Sequence, residues 1–246
     1  MATAGDTILS VDHLKVYFPI RRGIFSRVSG WVRAVDDVSF RLGRGETLGI
    51  VGESGSGKST IARALTGLTK LTDGKICRGG RIGMVFQDPL GSLNPRQTIR
   101  ESIETVPRGF PKPDAAALLP RVGLPLTALE RYPHEFSGGE RQRICIARAL
   151  ALKPAILICD EAVSALDLSV RAQVLDLLKE LRGEFDLSLI FITHDIGVVQ
   201  HIADRVLVMN KGQIVEQGST EAVLHHPQNG YTKRLISAVP KIISAV

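Results

Sequence analysis

No apolar run in the 246 residues approaches the roughly 20 that a helix needs to cross a bilayer. The richest runs, 155–159 and 187–192, have the length of buried strands instead. Cysteine is scarce. Cys77, Cys145 and Cys159 have neither paired nor metal-type spacing, so a disulfide framework or a zinc site is not expected, which fits a reducing compartment. The first fifteen residues lack a basic region followed by an apolar one, so no secretory signal is expected there. Internal repeats and low-complexity segments are also missing, which argues against a solenoid or a disordered chain. Acidic residues are absent between Leu14 and Val35, whereas Lys15, Arg21, Arg22, Arg27 and Arg33 all fall within that stretch. Such a single-sign run is expected to be a solvated loop, with lipid headgroups or an acidic partner as the alternatives.

What is present is ordinary soluble composition, 44% apolar and 23% charged with a net charge of +6, in a chain long enough to bury its own core. Strand-like and helix-like segments alternate, which predicts an α/β fold with a mainly parallel sheet. Strands are expected at 8–18, 33–42 (paired antiparallel at an edge), 47–51, 81–86, 155–159, 187–193, 205–209 and 213–216. Helices are expected at 60–68, at 144–152, and after Ser169 as a cap, with Val174, Leu177, Leu178 and Leu181 on one face. Residues 88–136 are proline-rich without strand pattern and read as a helical insert; 219–246 read as a small helical tail.

Gly52-Glu53-Ser54-Gly55-Ser56-Gly57-Lys58-Ser59, followed by Thr60, has two glycines with four residues between them and then Lys-Ser. Glycines let successive backbone N–H groups face phosphate oxygens, the next helix adds its positive end, Lys58 supplies a charge for the β- and γ-phosphates, and Ser59 can ligate Mg²⁺. The motif predicts a nucleoside triphosphate site. Asp160 and Glu161 follow a strongly apolar strand, beyond whose carboxyl end ligands of parallel sheets bind. There Asp160 could hold Mg²⁺ and Glu161 could polarise an attacking water. Ser137 and Glu140 have the S-x-x-E spacing of a capping box, and Gly138 and Gly139 behind the cap expose N–H groups that suit an anion.

With Phe136-Ser137-Gly138-Gly139-Glu140-Arg141-Gln142, the chain resembles the ATP-binding-cassette (ABC) family, whose signature begins Leu-Ser-Gly-Gly-Gln. Other motifs follow in the family's order. Gln87 resembles the Q-loop residue, Ser164-Ala165-Leu166-Asp167 resembles the D-loop, and His194 resembles the switch histidine. The resemblance implies a P-loop NTPase (RecA-like) core, an antiparallel edge β-subdomain and a helical signature subdomain. It implies one domain over 1–246, with its core at 1–87 and 153–218, its helical part at 88–152 and its tail at 219–246. It further implies ATP and Mg²⁺ as cofactors, with Ser59, Gln87 and Asp160 at the metal, Glu161 and His194 catalytic, and Tyr17 or Phe18 (Phe18 favoured on spacing) stacked on adenine. Ser137, Gly138, Gly139 and Glu140 would face the ATP of a second subunit. Glu140 stands where Gln is typical and is expected to point back to its cap.

Gln87-Asp88-Pro89-Leu90-Gly91-Ser92-Leu93-Asn94-Pro95, the insert 18–23 and the tail 226–235 resemble ATPase subunits of bacterial dipeptide and oligopeptide importers. The expected partners are a second, different ATPase subunit, two transmembrane permeases and an extracytoplasmic binding protein, with this subunit peripheral on the cytoplasmic face of the inner membrane. Nickel or opine and sugar-peptide import are the alternatives. A nucleic-acid-handling ABC ATPase is a remote one, since no coiled coil and no second cassette is present; nucleic acid is not an expected partner.

Overall fold

The computed structural model describes residues 7–22 and 26–238. In chain order its elements are β1 (Thr7–Arg22), β2 (Arg27–Gly43), β3 (Thr47–Val51), α1 (Lys58–Leu65), β4 (Asp73–Arg78), β5 (Ile82–Val85), α2 (Pro89–Ser92), α3 (Ile99–Glu104), α4 (Ala115–Leu118), α5 (Gly138–Leu150), β6 (Ile156–Asp160), α6 (Leu168–Glu184), β7 (Ser188–Thr193), α7 (Ile196–Ile202), β8 (Arg205–Asn210), β9 (Gln213–Ser219), α8 (Thr220–His225) and α9 (Gly230–Ser237). Two compact units emerge. One takes Gly43–Glu46 and Arg78–Ile190 together with the chain up to Ile8; the other takes Leu9–Leu42, Thr47–Cys77 and Phe191–Val246. This division follows other lines than the core, helical part and tail expected from sequence, because the helical insert packs with the strands that flank it: α5 lies against β5 and α6.

In the first unit, β5 and β6 pair in parallel, with Met84 opposite Ile158, and β6 has β7 as its other neighbour. All five residues of β6 are buried, as expected for a central parallel strand. The α6 stripe Val174, Leu177, Leu178 and Leu181 is buried as its spacing predicts, but the helix is capped by Asp167 rather than Ser169. Asp167 has the extended backbone of a cap residue, which leaves Ser169 inside the first turn. The insert contains only short helices, and three of them are started by a local side-chain cap: Asp88 for α2, Thr98 for α3 and Asp114 for α4.

In the second unit, β3 pairs in parallel with β8, with Ile50 opposite Leu207, and β8 pairs antiparallel with β9. Val51, Val199, Val206, Val208, Val223, Leu224 and Tyr231 form its apolar cluster. The helix after the glycine-rich loop ends at Leu65, earlier than expected, because Gly67 adopts φ 79° and Leu68 N–H bonds back to the Arg63 carbonyl.

A separate three-stranded sheet has the order β2-β1-β4. β4 gives no alternating apolar signal, since only Ile76 is even half-buried, and pattern reading misses it. β1 and β2 are longer than the expected 8–18 and 33–42. His13 N–H bonds to Ser39 Oγ and Ser29 Oγ to the Ile20 carbonyl, so partners fall in number along one strand as they rise along the other: the pair is an antiparallel hairpin. The stretch expected to be a solvated loop is therefore strand as far as Arg22 and again from Arg27, because cross-strand hydrogen bonds compensate for its weak hydrophobic pattern; Gly23, in the insert, lies outside the described residues.

Candidate functional site: a phosphate loop, an acidic strand end and a capped glycine pair

The glycine-rich loop leaves the buried strand β3 and enters α1 through Gly57, whose φ of 107° only glycine adopts without strain. A Cβ there would also collide with the Ala34 carbonyl, and one at Gly52 with that of Met209, so the loop is pressed against β2 and β8. No side-chain hydrogen bond caps the start of α1. Lys58 is only 4% exposed. Its ammonium donates to the carbonyls of Gly52 at 2.7 Å and Glu53 at 2.8 Å, and so spans the loop it serves. Ser59 and Thr60 lie in the first turn of α1.

Two contacts on this loop escape pattern reading. The Tyr231 hydroxyl in α9 accepts the Glu53 N–H at 3.2 Å, and Ser56 carbonyl accepts the Gly212 N–H at 2.9 Å. Tyr231 is distant in sequence; its one signal is that it is a largely apolar residue in an otherwise polar tail segment.

The aromatic pair also belongs to this unit. The Tyr17 hydroxyl donates to Asp36, and the Arg33 guanidinium lies 5.6 Å from the Tyr17 ring centre. Bonding to this hydroxyl holds the Asp36 carboxyl below its ordinary range and pushes the Tyr17 phenol up. Arg33 and Ala34 are the β2 residues beside the loop, since the Ala34 carbonyl abuts Gly57. Tyr17 is thus fixed near the loop, whereas Phe18, next along the strand, is exposed. His194 follows β7 immediately, and Asp195 after it caps α7 by accepting the Gly197 N–H at 2.9 Å. His194 is exposed at this strand-to-helix turn.

In the first unit, Asp160 ends β6 and is 7% exposed. Glu161 has φ 49°, a left-handed conformation that costs a non-glycine residue of order 1–3 kcal/mol. Ser164 holds that turn, its N–H and its hydroxyl both donating to the Glu161 carbonyl, at 3.1 and 2.9 Å. Gln87 and Glu161, far apart in sequence, are brought together here: Gln87 Nε2 donates to Glu161 Oε2 at 3.2 Å. Ala165, Leu166 and Asp167 follow, with Ala165 exposed and the Leu166 carbonyl accepting from Arg171, before α6 begins. Burial pushes the Cys159 thiol, one residue before Asp160, up to about 12, so it is no nucleophile.

Ser137 caps α5 with a complete capping box. Glu140 Oε2 accepts both the Ser137 N–H and its hydroxyl, each at 2.8 Å, and these bonds hold the Glu140 carboxyl below its ordinary range. The carboxylate is thereby turned back on its own helix end. The two glycines differ. A Cβ at Gly139 would collide with Val170 of α6, so packing requires glycine there, whereas one at Gly138 would meet only Leu166 Cδ2 at 3.8 Å. The Gly138 backbone is open where that of Gly139 is packed.

The arrangement matches known proteins. A family model described as "ABC transporter" matches residues 35–164, more than half of the chain. The chain belongs to the ABC transporter family. It is an ATP-binding cassette and an ATPase. The oligopeptide transport ATP-binding protein OppF of Lactococcus lactis subsp. lactis is 47% identical, over 96% of this chain and 81% of that protein. The glutathione import ATP-binding protein GsiA of Salmonella typhimurium is 50% identical, over 96% of this chain and 42% of that one. Among solved structures, the dimeric post-hydrolysis state of the ATP-binding cassette MJ0796, bound to ADP and Pi, superposes with a TM-score of 0.73 at 26% identity, covering 86% of this cassette and 98% of that chain. No helix among the described residues of the cassette is long and apolar enough to cross a membrane.

Proposed function

We propose that the cassette is the nucleotide-binding subunit of an importer and hydrolyses ATP to drive uptake of peptides or related small solutes through partner permeases. The observation that carries this reading is the match to an oligopeptide and a glutathione import subunit along 96% of the chain. ATP lies with its phosphates on residues 52–60 and its adenine against Tyr17, whose ring Asp36 and Arg33 hold in place. The residues that would hold Mg²⁺ are hard oxygen donors, which suit it: the Ser59 hydroxyl, the buried Asp160 carboxylate and the Gln87 amide oxygen, whose nitrogen is engaged by Glu161. Mg²⁺ bound there neutralises charge on the phosphate oxygens.

Glu161, oriented by Gln87, accepts a proton from the attacking water. The water oxygen bonds to the γ-phosphorus as the bond to the ADP oxygen breaks, and His194 contacts the γ-phosphate. The second half of each site comes from the Ser137, Gly138 and Gly139 helix end of a second ATPase subunit, with residues 164–167 at the junction. Two permeases and an extracytoplasmic binding protein complete the assembly, with the cassette peripheral on the cytoplasmic face of the inner membrane.

The test is the reconstituted transporter in proteoliposomes. Peptide-loaded binding protein is expected to stimulate ATP hydrolysis, and Glu161→Gln to abolish both hydrolysis and uptake. Stimulation by a nickel- or sugar-peptide-loaded binding protein, with none by a peptide-loaded one, would overturn the peptide reading and leave the ATPase intact.

A further inference from the structure

Beyond Tyr17 the three-stranded sheet narrows to two strands. β4 is tied to β1 through Thr72, whose N–H bonds to the Lys15 carbonyl and whose hydroxyl accepts the Tyr17 N–H. Among the described residues, only β2 lies beside β1 from Phe18 to Arg22. A two-stranded ribbon is marginal in water, and this one leaves its apolar side chains uncovered. Phe18, Ile20, Val28, Trp31 and Val32 are each between 39% and 56% exposed. Leu14 and Val16, four and two residues before Phe18, are buried, so the apolar strip of β1 continues after its cover ends.

Both faces of the ribbon are apolar. Ile20 lies over Gly30, where a methyl group would sit 3.7 Å from Ile20 Cδ1. By strand alternation Phe18, Ile20, Val28 and Val32 therefore share one face. Arg33 stacks over Tyr17, which puts Trp31 on the other. Arg21, Arg22 and Arg27 are exposed at the far end of the ribbon, and no carboxylate occurs between Leu14 and Val35.

We infer that this ribbon is a membrane-contact element, entering the headgroup layer of an anionic bilayer and holding the cassette there independently of any permease. A rigid protein groove covers one face of a strand pair, whereas a fluid interface surrounds both, and both faces here carry apolar side chains. Tryptophan favours the membrane–water boundary, and clustered arginines favour anionic headgroups while their stems stay in the apolar layer. The ribbon's open edges keep it out of the hydrocarbon core, where unpaired backbone groups are not tolerated, so it sits at headgroup depth. An acidic protein surface is the competing occupant.

Trp31 is the chain's only tryptophan and reports on this ribbon directly. The purified full chain is mixed with vesicles of phosphatidylglycerol and phosphatidylethanolamine, or of phosphatidylcholine alone, at low and high salt (about 0.05 and about 0.5 M). The expected result is cosedimentation with the anionic vesicles, weakened by salt, with a blue shift of Trp31 emission and its quenching by acyl-brominated lipid. Arg21→Ser/Arg22→Ser/Arg27→Ser should lower partitioning roughly 100-fold. Ile20→Ser/Val32→Ser should remove the quenching while ATP binding is retained. The inference is overturned if the wild-type chain ignores anionic vesicles and captures only an acidic protein, if the triple arginine variant binds vesicles equally well, or if vesicles bind without quenching Trp31. The wild-type quenching stands as a test even where a variant fails to fold.

Discussion

Glu161 combines three properties that suit a general base: a strained backbone, a turn fastened by Ser164 and a carboxylate oriented by Gln87. Replacing it by Gln keeps shape and turn but removes the proton acceptor. Hydrolysis should fall by at least roughly 100-fold, with ATP binding preserved; near-normal steady-state turnover would remove Glu161 from this role. Lys58→Ala removes the charge nearest the phosphates and also strips two loop carbonyls of their donor. ATP affinity measured by calorimetry should drop by about 1.5–3 kcal/mol, the range for hydrogen bonds to charged groups. Tyr231→Phe deletes a single hydroxyl acceptor at Glu53. A loss of about 0.5–1.5 kcal/mol in stability, read by urea titration, is expected, together with weaker ATP binding. Unchanged ATP binding would make the tail a strut and not a part of the loop's support.

At the scale of the element, α5 shows what a cap contributes. Ser137→Ala should destabilise the first unit by about 1 kcal/mol, since it removes an acceptor for the Glu140 N–H. The cap is also pH-dependent, with a definite sign. The Glu140 carboxyl is held low by the Ser137 N–H and hydroxyl, so its contribution is complete above the ordinary carboxylate range. It is lost as pH falls through the depressed folded value. Stability measured against pH should decline through that acidic window in the wild-type chain and lose this component in Glu140→Gln. The glycines behind the cap divide structure from function: Gly139→Ala must push Val170 aside and destabilise packing on α6, whereas Gly138→Ala should fold normally.

At the scale of the whole molecule, the proposed two-subunit site has the Gly138 helix end act on ATP held by a second copy or a homologous subunit. The post-hydrolysis MJ0796 cassette, similar to this chain, was solved as a dimer with ADP and Pi. Gly138→Asp adds a carboxylate and a Cβ at the helix end where triphosphate would approach. Binding of ATP to the isolated chain should stay intact, since the phosphate loop is untouched, while ATP-dependent dimerisation and hydrolysis fail. Loss of ATP binding by the monomer would place Gly138 in the same site as Lys58 and sink the two-subunit arrangement.

The α/β class, the phosphate loop, the acidic pair after a buried strand and the capping box at Ser137 were all legible in the sequence, because each depends on chemistry within a few residues. Gly57 needs a left-handed backbone, β6 is apolar up to Asp160 because it is buried on both faces, and Ser137 and Glu140 cap each other one helical turn apart. What the tertiary structure alone decided depends on groups distant in sequence. Tyr231 meets Glu53, and Gln87 meets Glu161, through packing that no local pattern encodes. β4 exists because β1 supplies its hydrogen bonds, not because it has apolar residues to bury. The basic stretch reads as a loop from sequence because strand pattern requires a buried face; it is a ribbon because β1 and β2 satisfy each other's backbone, leaving the apolar side chains without cover.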